Sequence, residues 1–208
     1  SKRRKLMQNA ADSAEAATRL GEVVETSSTR FTVHCYRLHE AAPLGALVRS
    51  GSENTVYAVV SNVTTLPLDP GRRPVPRGED EADEDAVYLS NPQLSRLLHT
   101  EFQAVIVGHK DGDSYRYYLP AQPPQILAFV EACQANEIRE FVQRLDFLPL
   151  LLAGAGPAGD EVTAAFLRQA ASAQEDTEAF LVSAGRQAAR FLSRDLQRLD
   201  TLLGRMHQ

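Results

Sequence analysis

The sequence has no tryptophan, only two cysteines and two methionines, and no long apolar run. A membrane-spanning helix needs about 20 consecutive apolar residues. The longest candidate here, Leu145 to Ala155, is broken by Asp146 and Pro149. Cys35 and Cys133 lie far apart, which fits neither a disulfide framework nor a zinc pattern; free buried thiols in a reducing compartment are expected. Basic charge is also short. Lys and Arg number 22 against 27 Asp and Glu, for a net charge of −5, and this argues against a dedicated nucleic-acid binder. The basic cluster Lys2-Arg3-Arg4-Lys5 is followed by no apolar stretch, so no secretory signal is expected.

Catalytic signatures are missing as well. No G-x-x-x-x-G-K-[ST] phosphate loop and no G-x-S-x-G nucleophile elbow occurs. The five histidines, His34, His39, His99, His109 and His207, show no H-x-x-x-H or HExxH spacing. His34 and His39, on adjoining segments, are the two with a chance of meeting carboxylates in space. Catalytic, cofactor-binding and metal-ligating residues are therefore assigned as none. The chain is expected to be a cytoplasmic, non-enzymatic protein that needs no cofactor and contacts no membrane.

What is present divides the chain into three. Residues 1–18 read as a basic arm. Residues 19–124 carry β signals: Gly21 to Thr26 is a strand start, and Arg30 to Cys35 alternates so that Phe31, Val33 and Cys35 share one face. Further strands are expected at Ala46 to Arg49, Thr55 to Val63, Glu101 to His109 and Ser114 to Leu119. The last two flank Asp111-Gly112, a strong hairpin signal. Short strands joined by short turns predict a small closed antiparallel β-barrel, because closure removes exposed edges. A Pro-rich acidic insert at 67–88 is expected to be a disordered loop, since Glu79, Asp80, Glu81, Asp83, Glu84 and Asp85 repel one another. A short helix at 91–99 is predicted after it, with Asn91 as N-cap and Pro92 at the first helical position.

From 125 to 206 the period becomes helical and predicts a C-terminal helical bundle after the barrel, which makes the fold class α+β. Ile126, Phe129, Val130 and Cys133 recur at helical spacing, as do Ile138, Phe141, Val142 and Leu145. Asp160 is expected to cap a helix over Glu161 to Ala171. One long helix is predicted at 174–206, with Ala188, Leu192, Leu196, Leu199, Leu203 and Met206 on one stripe, widened by Phe191 and Leu202. That stripe packs against its own domain, a second copy or a partner.

Two motifs invite other readings. Gly154-Ala155-Gly156-Pro157-Ala158-Gly159 matches G-x-G-x-x-G and precedes a helix. A dinucleotide fold also needs a strand after that helix and an acidic residue at its end, whereas everything beyond Asp160 reads as helix. A hinge is the expected role. Tyr115, Tyr117 and Tyr118 around Arg116 suggest a stacking platform for single-stranded nucleic acid, as in an OB-like barrel. Cross-strand packing explains them equally well.

Several segments together resemble the HAS-barrel family, the barrel shared by HerA-type ring ATPases and rotary ATP synthase subunits. They are Gly21-Glu22-Val23-Val24, Thr29-Arg30-Phe31-Thr32-Val33, Pro43-Leu44-Gly45-Ala46-Leu47-Val48, Val56-Tyr57-Ala58-Val59-Val60, Ala104-Val105-Ile106-Val107-Gly108 and Tyr118-Leu119-Pro120-Ala121-Gln122-Pro123-Pro124. The whole chain looks like stand-alone bacterial HAS-barrel proteins with a helical C-terminus and no motor domain. With no phosphate loop, nucleotide hydrolysis does not carry over. The resemblance implies docking to a protein partner, such as a ring ATPase or its nuclease in DNA processing. Candidate contacts are the six acidic residues of the insert, Tyr115, Tyr117, Phe191 and Leu199, and self-association through the C-terminal helix is the accompanying expectation.

Overall fold

The computed structural model describes residues 19–51 and 54–207. The basic arm expected at 1–18 lies outside the described residues. The fold is α+β, with seven antiparallel strands and seven α-helices among the described residues. Strands β1 (Arg19–Thr26), β2 (Arg30–Cys35), β3 (Leu47–Ser50) and β4 (Val56–Pro67) come first. Helices α1 (Glu84–Ser90) and α2 (Leu94–Leu97) lead into β5 (Leu98–Asp111), β6 (Ser114–Arg116) and β7 (Phe129–Ala132). Helices α3 (Ala135–Phe141), α4 (Leu148–Gly154), α5 (Gly159–Ser172), α6 (Thr177–Phe191) and α7 (Leu196–Met206) complete the chain. None of these helices is long and apolar enough to cross a membrane.

The strand order is β2-β1-β7-β3-β4-β5-β6, and β2 pairs in addition with β5. Each of β1 to β5 and β7 therefore has a ladder neighbour on both sides, and β6 extends the β5 edge beyond β2. The alternation legible in β2 holds: Phe31, Val33 and Cys35 point inward. They join Val23, Val48, Val56, Ala58, Val60, Phe102, Ala104, Ile106 and Val130 in one buried cluster drawn from the six strands that have neighbours on both sides. Burying each of the valine, isoleucine and phenylalanine side chains among them is worth about 1.5–3 kcal/mol.

The opposite face of β3, β4 and β5 is apolar too, because it carries the helices. Leu47, Tyr57, Val59, Val105 and Val107 meet Phe141, Phe147, Leu148, Leu151, Phe166 and Leu167 in a second cluster. Strands buried on both sides read as continuous apolar runs, and Val56 to Val60 is one. Phe141 is the hub: its ring lies 5.0 to 5.6 Å from those of Tyr57, Tyr115, Tyr117 and Phe147.

Five local expectations need correction. Ile126 to Cys133 does not continue as helix; Phe129–Ala132 is β7, hydrogen-bonded to both β1 and β3. A four-residue segment is too short for its period to decide between helix and strand, and two waiting strand edges decide it. The insert is not a structureless loop throughout, since the Asp83 side chain accepts from Ala86 N at 2.8 Å and starts α1, with Glu84 and Asp85 in its first turn. Carboxylates are favoured there by the helix dipole. Asn91 therefore ends α1 instead of starting a helix, and its Nδ2 donates to Val87 O; Pro92 pushes it out of helical geometry. The helix that follows is a single turn, and β5 has begun by Leu98.

The long C-terminal helix is two helices. Leu192 closes α6, and the Asp195 side chain caps α7 by accepting from Arg198 N at 3.1 Å. Asp160 is not a cap either. It lies in the first turn of α5 and takes both Nε and Nη2 of Arg198, at 3.0 and 2.6 Å. That pair folds α7 back on α5.

Candidate functional site

The most concentrated set of chemically capable side chains lies on the outer face where β2 meets β5. His34 sits directly opposite Glu101 in the β2–β5 ladder, and His99 is two residues from Glu101 on the same face. Side chains two apart on a strand and opposite across a ladder are near neighbours, so the pleat itself brings the three together. His99 Nε2 lies 3.0 Å from Glu101 Oε1, and His34 Nδ1 lies 3.9 Å from the same oxygen. The two imidazoles stack, with centroids 4.7 Å apart and planes 11° from parallel. One potential ligand atom from each of the three residues falls within 4.8 Å of the others. All three are half-buried, and the far nitrogen of His99, Nδ1, is buried with no hydrogen-bond partner among the described residues.

Glu22 of β1 faces His34 from the other side in the β1–β2 ladder and accepts from the Tyr36 hydroxyl at 2.8 Å. Burial and then that bond push the Tyr36 phenol up to about 12. Cys35 points the other way, into the core, so it forms no dyad with His34. Burial and then the Glu101 charge raise its thiol to about 11, which keeps it protonated and unreactive. His39 stands apart from the cluster. It holds a left-handed backbone (φ 63°), donates its N–H to Thr100 Oγ1 at 2.8 Å and meets the Tyr88 hydroxyl of α1 at 2.8 Å. It anchors the insert to the end of the sheet.

The sequence-predicted contacts scatter. Glu79, Asp80, Asp83, Glu84 and Asp85 are exposed and Glu81 is half-buried, all between β4 and α1 or in its first turn. Tyr115 and Tyr117 are not an open platform. The Tyr115 hydroxyl donates to Glu140 Oε2 at 3.0 Å and the Tyr117 hydroxyl to Phe141 O at 2.9 Å, with both rings on Phe141. They fasten β6 to α3. Of that trio only Tyr118 is well exposed. Phe191 is exposed at the end of α6 and Leu199 half-buried on α7, beside Leu196, which is 72% exposed.

The glycine motif is a junction of helices. Gly154 ends α4, Gly156 takes φ +61° and opens a 3₁₀ turn, and Gly159 begins α5. A Cβ on Gly159 would sit 2.2 Å from Leu152 O, and one on Gly154 would sit 2.5 Å from a Val105 methyl. Close packing of helix on helix and of helix on strand accounts for both.

Two further concavities have clear linings. A cleft of about 520 Å³ is lined by Arg19, Arg49, Leu127, Phe129 and Glu131, among others. Its arginines are already spent: both approach Glu131, at 3.7 and 2.9 Å, and Arg49 also reaches Glu137 at 3.3 Å. An apolar groove of about 360 Å³ runs between Pro74-Val75-Pro76 and Val87, Tyr88, Leu94 and Leu98.

His99 and Glu101 went unread in the sequence because their partner is His34, 65 residues earlier than His99. Only a strand register places them together. The alternating His-x-Glu at 99–101 was the one available signal. No protein-family model matches the chain, and no curated protein matches its sequence.

Proposed function

We propose that this chain is a docking or assembly module without catalytic chemistry of its own. In this reading it is a closed barrel of the HAS type that carries helices on its outer face and binds a protein partner, of the ring-ATPase or associated-nuclease class. The ring of pairings, with β5 returning to β2, and the inward cluster from six strands support the barrel.

The observation that carries the docking role is the excursion between β4 and β5. Val63 and Leu66 at the end of β4 and Leu68, Val75, Leu89 and Leu97 beyond it are exposed, six of the large apolar side chains left in solvent within 35 residues. Leu68 N donates to Leu97 O at 2.9 Å and Leu66 pairs with His99, which gathers three of the six on one arm. The acidic residues Glu79 to Asp85 belong to the same excursion. Exposed apolar surface bordered by polar residues is how protein-binding patches are built, and the acidic run, in an excursion that also carries Arg72, Arg73 and Arg77, favours a basic partner surface.

Affinity purification of the tagged chain from native cells is expected to recover one partner in stoichiometric amount. V75D with L89D should abolish that recovery, whereas V182D on α6 should leave it intact. Recovery of no stoichiometric partner, or recovery indifferent to the arm substitutions, would refute the reading.

A further inference from the structure

We propose that His34, His99 and Glu101 form a binding site for a divalent transition-metal ion, with zinc the best match. The donor set is two imidazole nitrogens and one carboxylate oxygen. Zinc takes exactly such ligands and, with three from protein, keeps a fourth position for solvent or a second ligand. Calcium and magnesium prefer all-oxygen sites, so the two histidines select against them.

The geometry suits the ion. Zinc–nitrogen and zinc–oxygen bonds of about 2.0–2.1 Å in a tetrahedron place ligand atoms about 3.3 Å apart. Glu101 Oε1 lies 3.0 Å from His99 Nε2 and 3.9 Å from His34 Nδ1, on either side of that spacing. All three ligand atoms lie within 4.8 Å of one another; the two imidazoles stack almost parallel, 11° apart, so binding requires one ring to turn until both nitrogen lone pairs converge on a single point. The scaffold needs no such adjustment, because two paired strands hold the three residues. Glu22, opposite His34 in the β1–β2 ladder, puts a second carboxylate on the same face.

His99 meets the ion through Nε2, which is turned to Glu101, and its ring proton then resides on Nδ1. That nitrogen is buried without an acceptor among the described residues. The unsatisfied N–H is a cost, and with three protein ligands instead of four the expected affinity is about micromolar, weaker than that of a closed structural zinc site. The ion would bridge β2 and β5, whose pairing joins residues 30–34 to 101–105. Its effect is a clamp on that ladder, beside the end of β4 where Thr64 pairs with Glu101 and Leu66 with His99.

The test is calorimetric titration of zinc chloride into the untagged full chain after chelator treatment. One zinc per chain is expected, with micromolar affinity and a rise in Tm on binding. E101Q and H99N should each weaken binding about tenfold or more and remove the Tm rise, while H109N should change neither. In the unmodified chain, the imidazole NMR signals of His34 and His99 should shift on zinc addition and that of His109 should not, which keeps the proposal open to refutation if a variant fails to fold. Cobalt in place of zinc should give the intense visible bands of a four-coordinate site. Absence of saturable binding, binding that survives E101Q, NMR shifts confined to other histidines, or a weak six-coordinate cobalt spectrum would each overturn it.

Discussion

The Tyr57 hydroxyl, on the outer face of β4, donates a 2.7 Å hydrogen bond to Glu137 Oε1 in the first turn of α3. Arg49 of β3 reaches the same oxygen at 3.3 Å and Glu131 of β7 at 2.9 Å. Four residues on three strands and one helix thus share one polar junction at the margin of the second core. The Tyr57 side chain is almost fully buried, so its hydroxyl has no solvent to turn to.

Removing that hydroxyl tests the junction. Y57F keeps the ring against Phe141 and leaves Glu137 with Arg49, so the expected loss is that of one hydrogen bond to a charged group, about 1.5 kcal/mol. Y57A also empties the ring's place and should cost about 3–5 kcal/mol. Urea unfolding midpoints measure both. Equal losses for the two variants would mean that the hydroxyl, and not the ring, dominates.

Alkaline pH should unfold the protein through protons that the native state holds too tightly. Burial, then the Glu137 bond, raises the Tyr57 phenol well above its ordinary value. Burial, then the Glu140 bond, raises Tyr115 from 10.0 to about 12, and burial raises Cys35 from 9.0 to about 11. A raised folded-state pKa contributes stability that is fully present below the unfolded value and is lost as pH climbs through the folded one. Stability should therefore hold up to the ordinary thiol value of 9.0, then decline as pH rises toward about 11 for Cys35 and about 12 for Tyr115. Urea midpoints across that window should fall, and less steeply in Y57F. A flat profile would contradict the buried placement of these groups.

The break between α6 and α7 gives a prediction of opposite sign to the continuous-helix expectation. If Asp195 caps α7, D195A removes the cap and costs about 1 kcal/mol, while D195N retains it at little cost. In an unbroken helix the same alanine would be neutral or stabilising, because alanine is the best helix former. Thermal unfolding of the two variants decides between them.

Much of the fold was legible from local signals. Alternation in Arg30 to Cys35, the apolar run at Val56 to Val60, and Asp111-Gly112 between two strands each encode their structure within a few residues. The same is true of the inward face Val162, Ala165 and Phe166, all buried on α5. The errors fell where local signals compete. Asn91-Pro92 looks like a helix start, but Asp83 had already begun a helix that Pro92 ends. The stripe from Ala188 to Met206 keeps helical spacing across the break at Leu192 to Asp195, so periodicity alone does not reveal it.

The sequence by itself determined the class of structure: most of the strands, the side chains of those strands that turn inward, and the absence of known catalytic motifs. These rest on period, turn chemistry and caps, all interactions between residues a few positions apart. Only the tertiary structure decided that Phe129–Ala132 is a strand, that Tyr115 and Tyr117 are tied to α3, and that His34 stands opposite Glu101 and beside His99. Those outcomes depend on which strand edges meet and in what register. A slip of one residue would turn His99 and Glu101 to the other face, so no local pattern could have specified the site.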